Sequence, residues 1–263
     1  RLKKLYMPQT TMTEHIERPG DTPMPQPEKT LLALCPGAEF MVKYLNHAYG
    51  EQWRVITRPE EGVDVDAAVM ISSTDIYDVT EGNACDEDTP VKADSPLARD
   101  EAMFADYCRR HELPCLILRA ANIVGTGMTG LPMRIARGIA RGMLMHISGN
   151  SATISVVHAI DVARLSVELQ DAPGIYNITD GTDTTIDALI NAIAHRMKDK
   201  NVGTLRPRWA RWLYGRRYYG TLTRSLTFDD SRVRRVLEAE GRSTDMINVV
   251  QRLNTHQYVQ DDI

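Results

Sequence analysis

The chain has 263 residues, of which 43% are hydrophobic and 25% charged, and its formal net charge is -4 at neutral pH. This is the composition of an ordinary globular protein, and a sizeable core is expected. Because Lys and Arg are spread along the chain and the net charge is small, bulk electrostatics give no reason to expect a nucleic-acid partner.

The cysteines and the apolar segments indicate the cellular compartment of the protein. Cys35, Cys85, Cys108 and Cys115 form no C-x-x-C pair and show no metal-ligand spacing. No apolar stretch approaches the length of a membrane span, and none marks a secretory signal at the N-terminus. We therefore expect reduced cysteines, no metal site and a location in the cytoplasm. Because the chain does not begin with Met, the alternative is an organelle matrix after processing.

In chain order, residues 1–29 contain several prolines and little apolar periodicity, which predicts a flexible or partner-bound tail. From Thr30 onward, short β-rich runs alternate with helical stretches. The predicted strands cover residues 31–35, 54–57, 67–72, 115–119 and 174–178, and the predicted helices cover 40–48, 95–111, 185–197 and 230–240. This alternation predicts an α/β fold with a parallel sheet covered on both faces.

The stretch from Thr30 to Pro59 has the order strand, tight turn, helix, strand, which is the opening of a nucleotide-binding βαβ unit. A turn that carries a dinucleotide pyrophosphate normally contains three glycines. This turn contains only Gly37.

Five stretches, in order, carry a resemblance to a known family: VMISSTDIYD (69–78), DEDTPVKADSP (86–96), CLILRAANIVGTG (115–127), VVHAIDVARL (156–165) and GIYNITDGTDTTIDALINAIAHRM (174–197). They resemble the extended short-chain dehydrogenase/reductase family, the NAD-dependent epimerase/dehydratase group, over Thr30 to Gly241. The resemblance implies a Rossmann-like, doubly wound, mostly parallel sheet over 30–263 with a small C-terminal substrate lobe at about 198–263. It also implies an NAD(P) cofactor and a homodimer formed through the helix at 95–111.

The opening loop departs from the family pattern. Aligned with it, Pro36, Glu39 and Val42 stand where the family has its three glycines, and Glu39 would place a carboxylate beside two phosphates. Gly37 can still serve the turn, so it is one cofactor-binding candidate.

Two further cofactor-binding candidates follow the first strands. Ser72 ends the strand that the resemblance places beside the cofactor. Arg58 could bind a 2′-phosphate and so imply NADP, although an arginine on an exposed loop needs no such role.

The catalytic set also departs from the pattern. Ser73 matches the catalytic serine, yet a serine at a strand end is also a common turn residue. The family's Y-x-x-x-K tyrosine and lysine positions hold Leu97 and Glu101. Leucine has no proton to give, and a carboxylate would raise the pKa of a neighbouring phenol. Some atypical members carry S-P-x-x-R here, which Arg99 matches, so whether the protein is an enzyme stays open.

The connection between the second and third predicted strands is short. Only EEGVDVDAA separates Pro59 from Val69, whereas family members place two more strands and their helices there. A parallel crossover needs roughly a dozen residues or more. Either the chain has lost half of its dinucleotide site, or the sequence given omits residues.

Other candidates have both a functional and a structural interpretation. Asn122 matches a substrate-contacting asparagine, His158 is a substrate-site candidate or a packed histidine, and Asp161 is expected to cap the helix that follows. Three arginines share one helix face and point to a phosphate-bearing ligand or to water: Arg134, Arg137 and Arg141. The aromatic and basic stretch Arg206 to Arg224 could bind an anionic substrate, an RNA strand or a partner subunit, or be an irregular lobe segment.

Two hypotheses follow. In the first, the chain keeps the family scaffold, has lost efficient hydride chemistry and NAD(P) binding, and serves a binding or assembly role, with the tail or Arg206 to Arg224 as protein contacts. In the second, it is an active NAD(P)-dependent oxidoreductase, epimerase or dehydratase on a nucleotide-sugar or small polar substrate. The departures all fall on the cofactor and proton-transfer machinery, which favours the first.

Overall fold

The computed structural model describes residue 27, residues 29–198 and residues 200–255. The predicted tail at 1–29 lies outside the described residues apart from Pro27 and Lys29. The helices are α1 (Met41–Tyr49), α2 (Pro96–Arg110), α3 (Gly130–Ala140), α4 (Ala159–Glu168), α5 (Ile186–Arg196), α6 (Pro207–Thr223), α7 (Ser231–Ala239) and α8 (Val249–Asn254). Within these described ranges, no helix is long and apolar enough to cross a membrane.

The longer strands are β1 (Lys29–Leu34), β2 (Trp53–Ile56), β3 (Ala67–Ser73), β4 (Gly82–Cys85), β5 (Leu116–Ala120) and β10 (Gly174–Ile178). The short strands are β6 (Ile123–Val124), β7 (His146–Ile147), β8 (Thr153–Ile154), β9 (Val157–His158), β11 (Thr184–Thr185), β12 (Thr204–Leu205) and β13 (Leu226–Phe228).

The central sheet has five parallel strands in the order β10-β5-β3-β1-β2. Each corresponds to one of the five predicted strands with ends that agree within two residues, and the predicted α/β, Rossmann-like sheet is confirmed. The strand order reverses between β1 and β3, and ligands of doubly wound sheets bind at such a switch point, beyond the carboxyl ends of the strands.

Alternating side chains of β1 divide the core between the two faces of the sheet. Leu31 and Ala33 belong to the core packed under α1 and α4, whereas Leu32 belongs to the core on the other face. Among the described helices, only α2 contributes buried residues to that second core, through Phe104 and Cys108. A groove of about 800 Å³ remains open beside it.

The connection from β2 to β3 contains no helix, as its length predicts. The Thr30 N–H donates to the Asp66 carboxylate at 2.7 Å, and the Asp66 N–H donates to the Thr30 carbonyl at 3.0 Å. Val63 and Val65 pack against the core on the α2 face. The connection therefore crosses β1 as a short packed segment, and β2 is the edge strand of the described sheet.

Helix starts follow from local capping, with one correction. Thr185 accepts the Ala188 N–H at 3.0 Å and so caps α5. The prediction that Asp161 caps α4 is wrong. His158 occupies the cap position, and its Nδ1 accepts the Ile160 N–H at 3.2 Å.

Asp161 has a different role, in the first turn of α4. It is buried, accepts the Ile247 N–H at 2.7 Å and lies 3.4 Å from the Arg164 guanidinium. Its carboxylate thus ties α4 to the segment before α8, and this long-range partner, absent from local sequence, takes the place of the capping role.

A third core lies outside the central sheet, between α3, α5 and α6. Ile135, Leu189 and Ala210 are buried in it, and Leu222 and Val249 complete it from the last third of the chain. The substrate lobe at about 198–263 remains a prediction.

Gly127 is a position where both backbone and packing require glycine. Its φ is +87°, and a Cβ there would lie 2.9 Å from the Phe40 Cβ. Gly142 has a similar φ of +65° with open space around it. We expect Gly142→Ala to lower the free energy of unfolding by about 1 kcal/mol and Gly127→Ala to lower it by about 1–3 kcal/mol more. Urea unfolding of both variants measures the difference, and equal losses would contradict the contact with Phe40.

Candidate functional site

A cleft of about 380 Å³ lies beyond the carboxyl ends of β1, β3 and β5. Four of the six candidate catalytic, cofactor-binding and substrate-binding residues line it: Gly37, Ser72, Ser73 and Asn122. Arg58 does not line it. His158 lines a separate cavity of about 250 Å³ on the other side of the segment after β6. The fold therefore brings together part of the predicted site at the switch point of the sheet.

The turn after β1 closes on itself. Gly37 has a φ of +75°, and its N–H donates to the Glu39 carboxylate at 3.1 Å. Pro36, just before it, has no N–H to offer. A pyrophosphate at this turn would compete with Glu39 for the Gly37 N–H and meet the charge of its carboxylate, so these residues do not provide what that group needs.

The same turn is held from the opposite side of the cleft. The Thr129 hydroxyl donates to the Gly37 carbonyl at 2.9 Å, and Gly127 lies against Phe40. The Tyr44 hydroxyl of α1 accepts the Thr126 N–H at 2.6 Å. The turn is thus tied to the segment between β6 and α3.

The family's lysine position, Glu101 on α2, is the centre of a buried ion pair. The Arg119 guanidinium donates to both carboxylate oxygens, at 2.7 and 3.1 Å, and the Ser72 hydroxyl donates to one of them at 2.6 Å. Glu101 is 6% exposed and Arg119 is 5% exposed. Ser72 therefore supports this pair, and the carboxylate is held by a cation from β5 rather than by a ligand.

Tyr77 extends the network away from the cleft. Its hydroxyl donates to the Asn177 side-chain carbonyl at 2.6 Å and accepts from Arg119 at 3.2 Å, and its ring stacks on Phe228. Burial raises the pKa of Tyr77, against the lowering effect of its contacts with Arg119. The Tyr77 side chain is fully buried, and its hydroxyl is hydrogen-bonded to Asn177 and Arg119. It therefore does not replace the catalytic tyrosine, whose position in the family pattern holds Leu97.

Ser73 and Asn122 both have structural partners. The Ser73 hydroxyl accepts the Asp75 N–H at 3.1 Å and caps the 3₁₀ turn Thr74–Ile76. The Asn122 amide donates to the Ser155 carbonyl at 2.9 Å, and its φ is +26°. Both remain half-buried at the cleft wall, where a ligand can contact them.

A basic chamber of about 780 Å³ adjoins the cleft and shares Asn122 and Arg134 with it. The charged residues that line this chamber are Lys92, Arg134, Arg216, Arg217, Arg224 and a single acid, Asp75. No salt bridge joins any of the four arginines to another described residue. The chamber offers several unneutralised guanidinium groups, which suits a ligand with two or more anionic oxygens.

This chamber joins two stretches that the sequence presents separately. Arg134 comes from α3, whereas Arg216 and Arg217 come from the second half of α6, beyond a break at Gly215, whose φ is +69°. Arg137 and Arg141, on the same predicted helix face as Arg134, do not line the chamber. Helical spacing identified the face, but only the packing of α3 and α6 shows which arginine reaches the site.

The described residues contain no group of three or more His, Cys, Asp or Glu side chains that could hold a metal ion.

The cysteines differ in expected reactivity. Burial, and secondarily the charge of Glu39, raises the pKa of Cys35 to about 12. The hydrogen bond from Cys108 lowers the pKa of Cys115, whereas that of Cys108 is raised. Because the thiolate is the nucleophile, iodoacetamide should modify Cys115 faster than Cys35 or Cys108 in the native protein at mildly alkaline pH. Peptide mass spectrometry over time measures the order, and modification of Cys35 first would contradict the buried setting described.

Comparisons with known proteins identify the fold. A scan against models of protein families finds no match, and a search of curated proteins finds none. Among solved structures, UDP-N-acetylglucosamine 4-epimerase from Bacillus cereus is 16% identical with a TM-score of 0.57, over 86% of this chain and 97% of that one. UDP-glucose 4-epimerase from Thermus thermophilus, in complex with NAD, is 16% identical with a TM-score of 0.58, over 86% and 96%.

A human epimerase family protein, solved with NADPH, is 13% identical with a TM-score of 0.56, over 86% of this chain and 98% of that one. Likeness at these identities establishes the arrangement of the backbone, which agrees with the strand order and the switch point described above. The chain therefore has the Rossmann-like fold of these epimerase structures.

Proposed function

We propose that this chain is an extended short-chain dehydrogenase/reductase scaffold that binds a nucleotide-linked or similar phosphate-bearing ligand and no longer carries out NAD(P)-dependent hydride chemistry. Its role is then that of a binding or assembly subunit. The observation that carries the proposal is the buried pair of Glu101 and Arg119, which stands where the family resemblance places the catalytic lysine.

The chemistry of that pair supports the loss of proton transfer. In the family that the sequence resembles, a lysine lowers the pKa of the catalytic tyrosine and holds the cofactor ribose. Glu101 has the opposite charge, and both of its oxygens already accept hydrogen bonds from Arg119. Leu97, one turn before it, has no proton to exchange. Restoring the reaction would therefore need new groups at both positions.

The turn after β1 supports the proposed loss of dinucleotide binding. Glu39 occupies the Gly37 N–H, which is the backbone donor that a pyrophosphate would use. The family resemblance implies NAD(P), and the residues of this turn do not suit its pyrophosphate.

The basic chamber supports the ligand class. Its arginines outnumber its one acid, and the chamber continues into the cleft at Asn122, so a ligand with a diphosphate and a further polar group would fill both. Guanidinium groups bind phosphate oxygens in pairs of hydrogen bonds, and several guanidinium groups together suit the two charged phosphates of a diphosphate. Two of the structural neighbours are named as epimerases of UDP-linked sugars, which is the same class of compound.

Isothermal titration of the purified protein with UDP, UDP-glucose, NADH and NADPH tests the proposal. We expect saturable binding of the UDP compounds and none of the two nicotinamide cofactors. Tight binding of NADPH would overturn the loss of the cofactor site and favour the alternative, an active oxidoreductase, epimerase or dehydratase on a nucleotide-sugar or small polar substrate. Absence of UDP binding would overturn the ligand class.

The loop variant Pro36→Gly with Glu39→Gly separates two causes of a missing cofactor site. Recovery of NADPH binding would assign the loss to this loop. Continued absence of binding, in a variant with unchanged circular dichroism, would assign it to the short connection between β2 and β3.

A further inference from the structure

The first half of α6, Pro207 to Gly215, has an exposed apolar face formed by Trp209, Trp212 and Leu213, called here the tryptophan face. These side chains are 52%, 79% and 47% exposed. Tryptophan and leucine are normally covered, and large exposed apolar side chains that lie together on one face mark a contact surface.

The opposite side of this half-helix fixes its orientation. Ala210 is fully buried, and the Tyr214 hydroxyl accepts the Met145 N–H at 2.7 Å and donates to the Met145 carbonyl at 3.1 Å. With about 3.6 residues per turn, the tryptophan face is then turned away from the protein.

The charges around the tryptophan face have one sign. Every charged residue from 200 to 224 is basic. Arg208 lies beside the face, one turn before Trp212, and Arg211 is a further exposed arginine on the same half-helix. The Arg208 guanidinium lies 5.3 Å from the centre of the Trp209 ring. A helix that presents tryptophan and leucine flanked by arginine has the composition of helices that lie in the interface of anionic membranes.

We propose that the tryptophan face binds the surface of an anionic lipid bilayer. The half-helix lies in the plane of the interface, with the tryptophan and leucine side chains among the upper acyl chains and the arginines at the phosphates. This proposal does not rest on the proposed function, because Trp212 and Leu213 do not line the basic chamber.

Two other occupants suit the surface less well. A single-stranded nucleic acid would stack bases on open ring faces, but Arg208 covers one face of Trp209, and Leu213 offers nothing to a base. A second copy that paired this face with itself would bring the arginines of both copies together without a carboxylate between them.

Sedimentation with vesicles tests the proposal directly. Vesicles of phosphatidylcholine with phosphatidylglycerol should carry the protein down, and vesicles of phosphatidylcholine alone should carry much less. Added salt should release it, since the arginine contribution is screened. Trp212→Ser with Leu213→Ser should weaken binding by about 10-fold or more, and Arg208→Gln with Arg211→Gln by roughly fivefold for each charge.

A matched control and a second readout keep the test independent of expression or folding. Met103 is 70% exposed on α2, outside this region, so Met103→Ser should bind vesicles as the original chain does. The chain has three tryptophans, and in a Trp53→Phe background the tryptophan fluorescence, excited selectively over that of tyrosine, comes from Trp209 and Trp212. We expect a blue shift with anionic vesicles and quenching by brominated acyl chains.

Several outcomes would overturn the proposal. These are no binding to anionic vesicles, binding that the Trp212→Ser and Leu213→Ser changes leave intact, or Trp212-dependent binding to a single-stranded oligonucleotide without vesicle binding. Trp212-dependent self-association, seen by sedimentation velocity in the absence of vesicles, would assign the face to a second copy instead. The Trp212→Ser and Leu213→Ser double variant should still bind UDP. Loss of vesicle binding and loss of UDP binding are therefore separate results.

Discussion

Arg119→Leu is expected to lower the free energy of unfolding by about 3–5 kcal/mol, because it leaves the Glu101 carboxylate buried without its cation. The bidentate contact at 2.7 and 3.1 Å and the small exposure of both side chains place this pair among those that are costly to break from one side. Urea unfolding followed by circular dichroism measures the loss.

The surface pair of Arg54 and Glu60 provides the matched control. Its side chains are 48% and 41% exposed at a contact of 2.7 Å, so Arg54→Leu should cost less than about 1 kcal/mol. The double variant Glu101→Leu with Arg119→Leu should recover much of the loss, since it removes both charges. A double variant no more stable than Arg119→Leu would contradict the assignment of the cost to an unpaired carboxylate.

Arg216→Gln with Arg217→Gln is expected to lower the affinity for UDP by at least about 100-fold, because each charge-assisted hydrogen bond to phosphate contributes about 1.5–3 kcal/mol. Both side chains are exposed to the chamber and form no salt bridge with described residues, so their removal should leave the fold intact. Isothermal titration gives the affinity, and the melting temperature without ligand should be unchanged.

Arg137→Gln provides the control for this second prediction. Arg137 lies on α3 with Arg134, is exposed, and does not line the chamber. It should therefore change UDP affinity by less than the factor of about five that one distant, screened charge can contribute. An equal loss in both variants would mean that general charge rather than the chamber determines binding.

Charged side chains are arranged differently in the interior and at the surface of the cleft. In the interior, the pair of Glu101 and Arg119 stabilises the scaffold where the family resemblance expects catalytic groups. At the surface of the cleft, the arginines remain unpaired among the described residues and are available to a ligand. A protein that had lost all use of its cleft would have no evident reason to keep several like charges together, because their mutual repulsion is unfavourable.

The sequence by itself determined the sheet and the positions at which the chain departs from the family pattern. The strands are short β-rich runs of mainly apolar residues, so β1, β3 and β10 could be placed from local pattern alone. The short stretch before Ala67 predicted a connection without a helix. The spacing along the chain was enough to place Leu97 at the family's tyrosine position. These properties are local, and the printed residues contain them.

Only the tertiary structure decided which distant side chains and backbone groups the charged residues contact. Arg119 appears in the sequence as one residue of a strand motif, and nothing local indicates that it pairs with Glu101 from α2. Likewise, the contact between Glu39 and Gly37 depends on the conformation of the turn, and the chamber exists because α3 packs beside α6. A buried charge takes whichever partner the packing of distant segments brings within hydrogen-bond distance, and periodicity along the chain carries no information about that choice.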